Sequence, residues 1–147
     1  MTQPEPRTTG EPAKVIYTAK THTTGGRERG VSRSSDGALD VKLSIPGSGR
    51  IGTNPEQLLA AGWSACFESA MGIAARKRRI NLPADLAIDA EVELNQADGG
   101  YFLSVRLNVS APGVERDVAR ALVEEADETC PYSKATRGNI DVSINLV

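Results

Sequence analysis

Histidine is all but missing from this chain of 147 residues, which has one. That leaves little room for a His-rich metal centre. Cysteine is scarce too, at two residues, which excludes the disulfide framework of small secreted proteins. Neither sign of charge dominates: Lys and Arg number 17, Asp and Glu 19, for a net charge of −2. Such a balance argues against a nucleic-acid binder that works by neutralising phosphates. Gly at 14 and Pro at 8 are near ordinary usage, so the chain is neither collagen-like nor broadly disordered. Residues 1–13 lack an apolar core and are polar and Pro-rich, so a flexible tail is expected there and not a signal peptide. Long apolar runs are limited to one, residues 58–75, which carries a single charge at Glu68. Its Ala, Gly and Ser content and its central acid fit a buried helix better than a membrane span. What is present is enough for one soluble domain, residues 14–147, that buries about two-thirds of its unfolded surface without a staple. The expected compartment is the cytoplasm, and two thiols remain to be explained.

Residues 14–23 are β-branched and loosely alternating, which predicts a strand. A short strand is expected over 31–34, followed by a hairpin turn at Asp36-Gly37. Leu39, Val41, Leu43 and Ile45 alternate with polar residues, as in a strand buried on one face. Residues 46–52 read as a loop. Asn54 then offers an N-cap, Pro55 a first helical position, and Gln57 stands three after the cap. The helix so started is expected to run to about Arg79, where basic residues 76–79 complement its dipole. Alternation returns over 86–94 and, less cleanly, over 102–109, with Asp98-Gly99-Gly100 between them as the turn of a hairpin. An amphipathic helix is predicted over 114–129, ended by Cys130-Pro131, and a last strand over 140–146. Strands and helices fall in blocks, which implies an α+β fold with a largely antiparallel sheet and a long central helix.

Taken one at a time, the candidate site residues have ordinary explanations. Cys66 lies well inside the first long helix, in a stripe with Leu59, Trp63, Ala70 and Ile73, where a small apolar core residue fits. Cys130 sits at a helix end before Pro131. It is 64 positions from Cys66, so the two make no CxxC pair, and only the fold decides whether they meet. Glu56 complements the dipole at a helix start. Arg27 belongs to a Gly-Gly-Arg-Glu-Arg loop, and His22 has no ligand partner.

Taken together they form a pattern. The stretches Thr53-Asn54-Pro55-Glu56-Gln57-Leu58, Ala61-Gly62-Trp63-Ser64-Ala65-Cys66-Phe67 and Cys130-Pro131-Tyr132-Ser133, continued by Ala135-Thr136-Arg137-Gly138-Asn139-Ile140-Asp141-Val142, stand in that order. With Thr24-Gly25-Gly26-Arg27 and residues 14–19 and 39–44, they resemble the organic hydroperoxide resistance branch of the OsmC-like family over about 14–147. The resemblance implies a thiol peroxidase for organic or fatty-acid hydroperoxides. It assigns Cys66 as the peroxidatic and Cys130 as the resolving cysteine, with Arg27 and Glu56 completing the site. It also implies an intertwined homodimer, no metal or bound cofactor, and recycling by a lipoylated protein. Departures from the usual pattern fall at Trp63, Glu68, Asp127 and Lys134, and bear on pocket shape and substrate preference, not on the reaction.

Elementary chemistry agrees with this assignment. The reactive form is the thiolate, and a cysteine in an apolar stripe needs a neighbouring cation to reach it. Arg27 can supply that charge, and Glu56 can fix its guanidinium by a bidentate contact. Glu68, two positions on, is expected to face away from Cys66. Glu56 and Cys66 are ten residues apart, about 15 Å along one straight helix. A compact site therefore asks for Glu56 and Arg27 from a second subunit, unless the helix begins later. Two other functions stay open at this point: an OsmC-type peroxidase of broader peroxide preference, and a non-catalytic sensor or binder of oxidised lipids.

Overall fold

Asn54 accepts a hydrogen bond from the backbone N–H of Gln57 through its side-chain oxygen at 2.8 Å, and a 23-residue helix begins at the next residue. This is the organising element of the computed structural model, which describes residues 12–147; most of the expected 1–13 tail lies outside the described residues. The helix, α2, spans Pro55–Lys77. Its far end closes as a Schellman motif: the Ile80 N–H donates to the Ala75 carbonyl at 2.9 Å and the Arg79 N–H to the Arg76 carbonyl at 3.1 Å. Arg79 takes the left-handed conformation this requires, at φ 55°.

Three short strands and a helical turn precede α2: β1 Thr21–Thr24, α1 Gly26–Arg29, β2 Val31–Ser34 and β3 Asp40–Lys42. They form one antiparallel sheet in the order β1-β2-β3. The Asp36 carboxylate accepts from the Ser34 hydroxyl at 2.6 Å and the Ala38 N–H at 3.0 Å. These bonds fix the turn and lower the Asp36 pKa. A second sheet holds β4 Ala87–Ala97, β5 Gly100–Ser110 and β6 Asp141–Leu146, with β4 antiparallel and β6 parallel to β5. Two helices, α3 Arg116–Thr129 and α4 Pro131–Thr136, make the crossover that a parallel pair needs.

The core lies between α2, this second sheet and α3. Trp63, Phe67 and Met71 from α2 pack with Val105, Leu107 and Val109 from β5 and Leu122 and Ala126 from α3. Among the described residues α2 is the one helix long and apolar enough to cross a membrane by length and composition. Here its apolar face forms the middle of the core.

Several sequence expectations need correction. The strand expected over 14–23 is confined to Thr21–Thr24; Val15, Ile16 and Tyr17 stand exposed, and among the described residues no strand pairs with them. The strand expected over 39–45 stops at Lys42, where Leu43 instead bridges to Thr53. The helix expected from 114 starts at Arg116, after a turn closed by the Val114 N–H donating to the Ala111 carbonyl at 3.3 Å. The expectation of a largely antiparallel sheet holds, with β6 the strand that joins in parallel. The buried face of α2 is also rotated from the expected stripe: Phe67, Met71 and Ala74 are inside, while Ile73 is exposed.

Candidate active site

Arg27 sits on α1, a single helical turn where the sequence suggested a loop. Gly25 and Gly26 enter that turn at φ 79° and 66°, left-handed values that favour glycine. Gly30 leaves it where a side chain has no room: a β-carbon would run into the Gly26 carbonyl oxygen. Arg50 ties the turn down, donating to the Leu43 carbonyl at 3.1 Å and to the Arg29 carbonyl at 3.4 Å. The bridge between Leu43 and Thr53 sets the start of α2 beside this sheet. Glu56, in the first turn of α2, then meets Arg27 in a two-pronged contact of 3.0 and 3.4 Å. The carboxylate is largely buried and the guanidinium more open, at 16% and 40% side-chain exposure. Beside the pair lies a cleft of about 590 Å³ with apolar walls from Ile45, Pro46, Ala60, Ala90, Val92 and Leu94.

The second cluster lies further along α2. Cys66 is half-buried on α2, and Cys130 is fully buried at the junction where α3 ends and α4 begins. The Cys130 N–H closes α3 on the Ala126 carbonyl at 2.8 Å, and Pro131 takes the first position of α4, where no N–H is needed. Both thiols are free, and Cys130 lies close enough to act on the Cys66 thiol. Burial and the adjoining Cys130 push the Cys66 thiol upward in pKa. The backbone N–H of Tyr132 favours the anion and pulls the other way.

The structure thus brings together Cys66 with Cys130 and Arg27 with Glu56, but not the two pairs within one chain. Because α2 begins at Pro55 and is continuous through Cys66, Glu56 stands ten residues up a single helix, about 15 Å along its axis. Glu68 is exposed and faces a separate groove with Ser69, Gly72 and Leu86.

The comparisons with known proteins settle the ancestry. Residues 46–145 match the family of OsmC-like proteins. The chain is 49% identical over 139 residues to the organic hydroperoxide resistance protein of Xanthomonas axonopodis pv. citri, covering 92% of this chain and 97% of that one. The chain belongs to the OsmC-like family, in its organic hydroperoxide resistance branch. It is also 42% identical to the organic hydroperoxide resistance protein OhrA of Bacillus subtilis, over 91% of this chain and 98% of that one. A crystal structure of an organic hydroperoxide resistance protein from Legionella pneumophila superposes with a TM-score of 0.83 at 41% identity, covering 90% of this chain and 98% of the other.

In this OsmC-like chain the sequence reading missed α4 and the Tyr132 N–H. Pro131 was read only as the end of α3, although proline also favours the first position of a helix. A backbone donor leaves no sign in a sequence. Lys134, on α4, is exposed. Asp127 pairs with Arg137, which donates to its carbonyl at 2.6 Å.

Proposed function

We propose that this chain is a thiol peroxidase that detoxifies organic hydroperoxides, with Cys66 as the oxidised thiol and Cys130 as the resolving one. The observation that carries the reading is the pairing in space of two free thiols 64 positions apart in sequence. The Cys66 thiolate attacks the outer peroxide oxygen, the O–O bond breaks, and the alkoxide takes a proton and leaves as the alcohol. Cys66 is then a sulfenic acid. The Cys130 sulfur displaces its hydroxyl, which departs as water, and a disulfide forms. A dithiol, supplied by a lipoylated protein, takes over the disulfide and restores both thiols. No bound cofactor enters this cycle.

The thiolate needs a cation, since burial and Cys130 both oppose it. Arg27 of a partner subunit is the source we assign, held in a forked contact by Glu56 of that same subunit. Its guanidinium would also hold the negative charge that develops as the O–O bond breaks. The exposed run Val15-Ile16-Tyr17 supports an intertwined homodimer, because an extended apolar segment of this kind gains by pairing with a second copy. The apolar cleft beside Arg27 favours an organic hydroperoxide over hydrogen peroxide. A cycle that starts from two reduced thiols suits the cytoplasm and requires neither nucleic acid nor a membrane.

Intact mass after one equivalent of cumene hydroperoxide tests the reading. The expected product has lost two hydrogens, while Cys130→Ser gains one oxygen instead. An unchanged mass in the wild-type protein would sink the proposal. Faster turnover of tert-butyl hydroperoxide than of hydrogen peroxide, with dihydrolipoamide as reductant, is expected alongside.

A further inference from the structure

The turn of α2 that precedes Cys66 is built around one side chain of α4. Gly62 and Trp63 stand four and three positions before Cys66, on the face that carries its thiol. Gly62 has no side chain because the Tyr132 ring lies over it: a β-carbon there would fall 2.6 Å from the Tyr132 hydroxyl oxygen and 3.3 Å from the ring carbon that bears it. The Tyr132 ring stacks on Trp63 with centroids 6.3 Å apart and planes 22° from parallel. Next to it, the Trp63 indole N–H donates to the hydroxyl of Ser133 at 3.4 Å, both side chains being buried. Four groups thus fasten the first turn of α4 to α2. Cys130 and the Tyr132 N–H, the two groups at this junction that act on the Cys66 thiol, lie within three residues of this attachment.

We propose that Gly62, Trp63, Tyr132 and Ser133 form a latch that positions Cys130, and thereby decides whether oxidised Cys66 is resolved or over-oxidised. The inference rests on the peroxidase reading above. Once Cys66 is a sulfenic acid, two reactions compete for it. Cys130 can displace the hydroxyl as water to give the disulfide. A second hydroperoxide can instead transfer an oxygen, giving sulfinic acid and another alcohol, a product that a dithiol does not recover. The first path is intramolecular, and its advantage comes from holding the two sulfurs in place. Cys130 is at a junction between two helices, with its own N–H spent on closing α3. Its position relative to α2 therefore depends on how α4 is fastened. Gly62, Trp63, Tyr132 and Ser133 are assigned no part in breaking the O–O bond; they act through the placement of Cys130, as positioning residues.

Gly62→Ala tests the latch, because the added methyl must displace the Tyr132 ring. Each protein is treated with a graded excess of cumene hydroperoxide without reductant, and the disulfide and sulfinic products are separated by intact mass. The wild type is expected to stop at the disulfide. A misplacement of about 1 Å costs an oriented reaction up to roughly 100-fold, so Gly62→Ala should lower the ratio of disulfide to sulfinic acid by about tenfold or more. The rate of the first oxidation should fall by much less, which a general loss of structure would not allow. Gly62→Ala with Tyr132→Phe relieves the closest clash and should recover part of the ratio. Should Gly62→Ala fail to fold, Ser133→Ala carries the test, since it removes the acceptor for Trp63 without adding bulk. An unchanged ratio in the folded variant overturns the latch. Absence of any disulfide in the wild type would instead overturn the peroxidase reading, so the two failures are distinguishable.

Discussion

Cys66 meets opposing demands. Its half-buried place on α2 and the thiol beside it favour the protonated form, while nucleophilic attack requires the thiolate. Among the described residues, the Tyr132 N–H is the group that favours the anion. On the proposal that Arg27 of a second chain supplies the missing charge, Arg27→Ala should move the Cys66 titration to higher pH. The thiolate exists above its pKa, so raising that pKa lowers the reactive fraction at neutral pH and restores it only in base. Iodoacetamide labelling of Cys66 against pH, in the Cys130→Ser background, reads this directly. The labelling curve of Arg27→Ala should lie to the alkaline side, and an unshifted curve would remove Arg27 from the site. These residues were legible in sequence because each is a chemically distinct side chain in a recognisable stretch. The forked contact of Arg27 with Glu56 also follows from their shapes. What could not be read is the Tyr132 donor, a main-chain group, and the need for bare space at Gly62 and Gly30, which depends on segments far apart in the chain.

The elements divide by how local their causes are. The start of α2 was plain in Asn54-Pro55, since a cap and a proline act within one turn. The hairpin of β4 and β5 followed from alternation and from Asp98-Gly99, both of which take left-handed backbone angles. The truncation of β1 and β3 had no local cause. Residues 14–19 have strand composition, but a ladder needs a neighbour, and among the described residues no strand pairs with them. The parallel docking of β6 depends on the α3–α4 crossover, and α4 was hidden because its proline also ends α3. The cap of α2 reaches the site through Glu56, which lies two residues beyond it. Asn54→Ala is expected to cost about 1 kcal/mol of stability, measured by urea unfolding. Fraying of that first turn should also loosen the hold of Glu56 on Arg27, and the peroxidase rate should drop while Cys130 still resolves normally.

Across the whole molecule, the two halves of the proposed site lie at opposite ends of a helical segment about 15 Å long. Complementation between chains tests how they meet. Cys66→Ser and Glu56→Ala homodimers should each be strongly impaired. Mixed after partial unfolding and refolding, they should regain activity, because one site in each heterodimer then has both intact halves. If mixing restores nothing, Arg27 and Glu56 do not act across subunits. Ile16→Asp offers a second check at this scale, since a charge in the exposed Val15-Ile16-Tyr17 run should shift sedimentation toward the monomer.

The unbroken course of α2 from Glu56 to Cys66 has a kinetic meaning as well. A lone chain holds its thiol and its arginine too far apart to react with each other's help. Catalytic output would then scale with the square of chain concentration at high dilution and become linear once pairing saturates. Specific activity measured across a dilution series should fall away below a threshold, and adding catalytically dead Cys66→Ser chains to the dilute enzyme should raise it again.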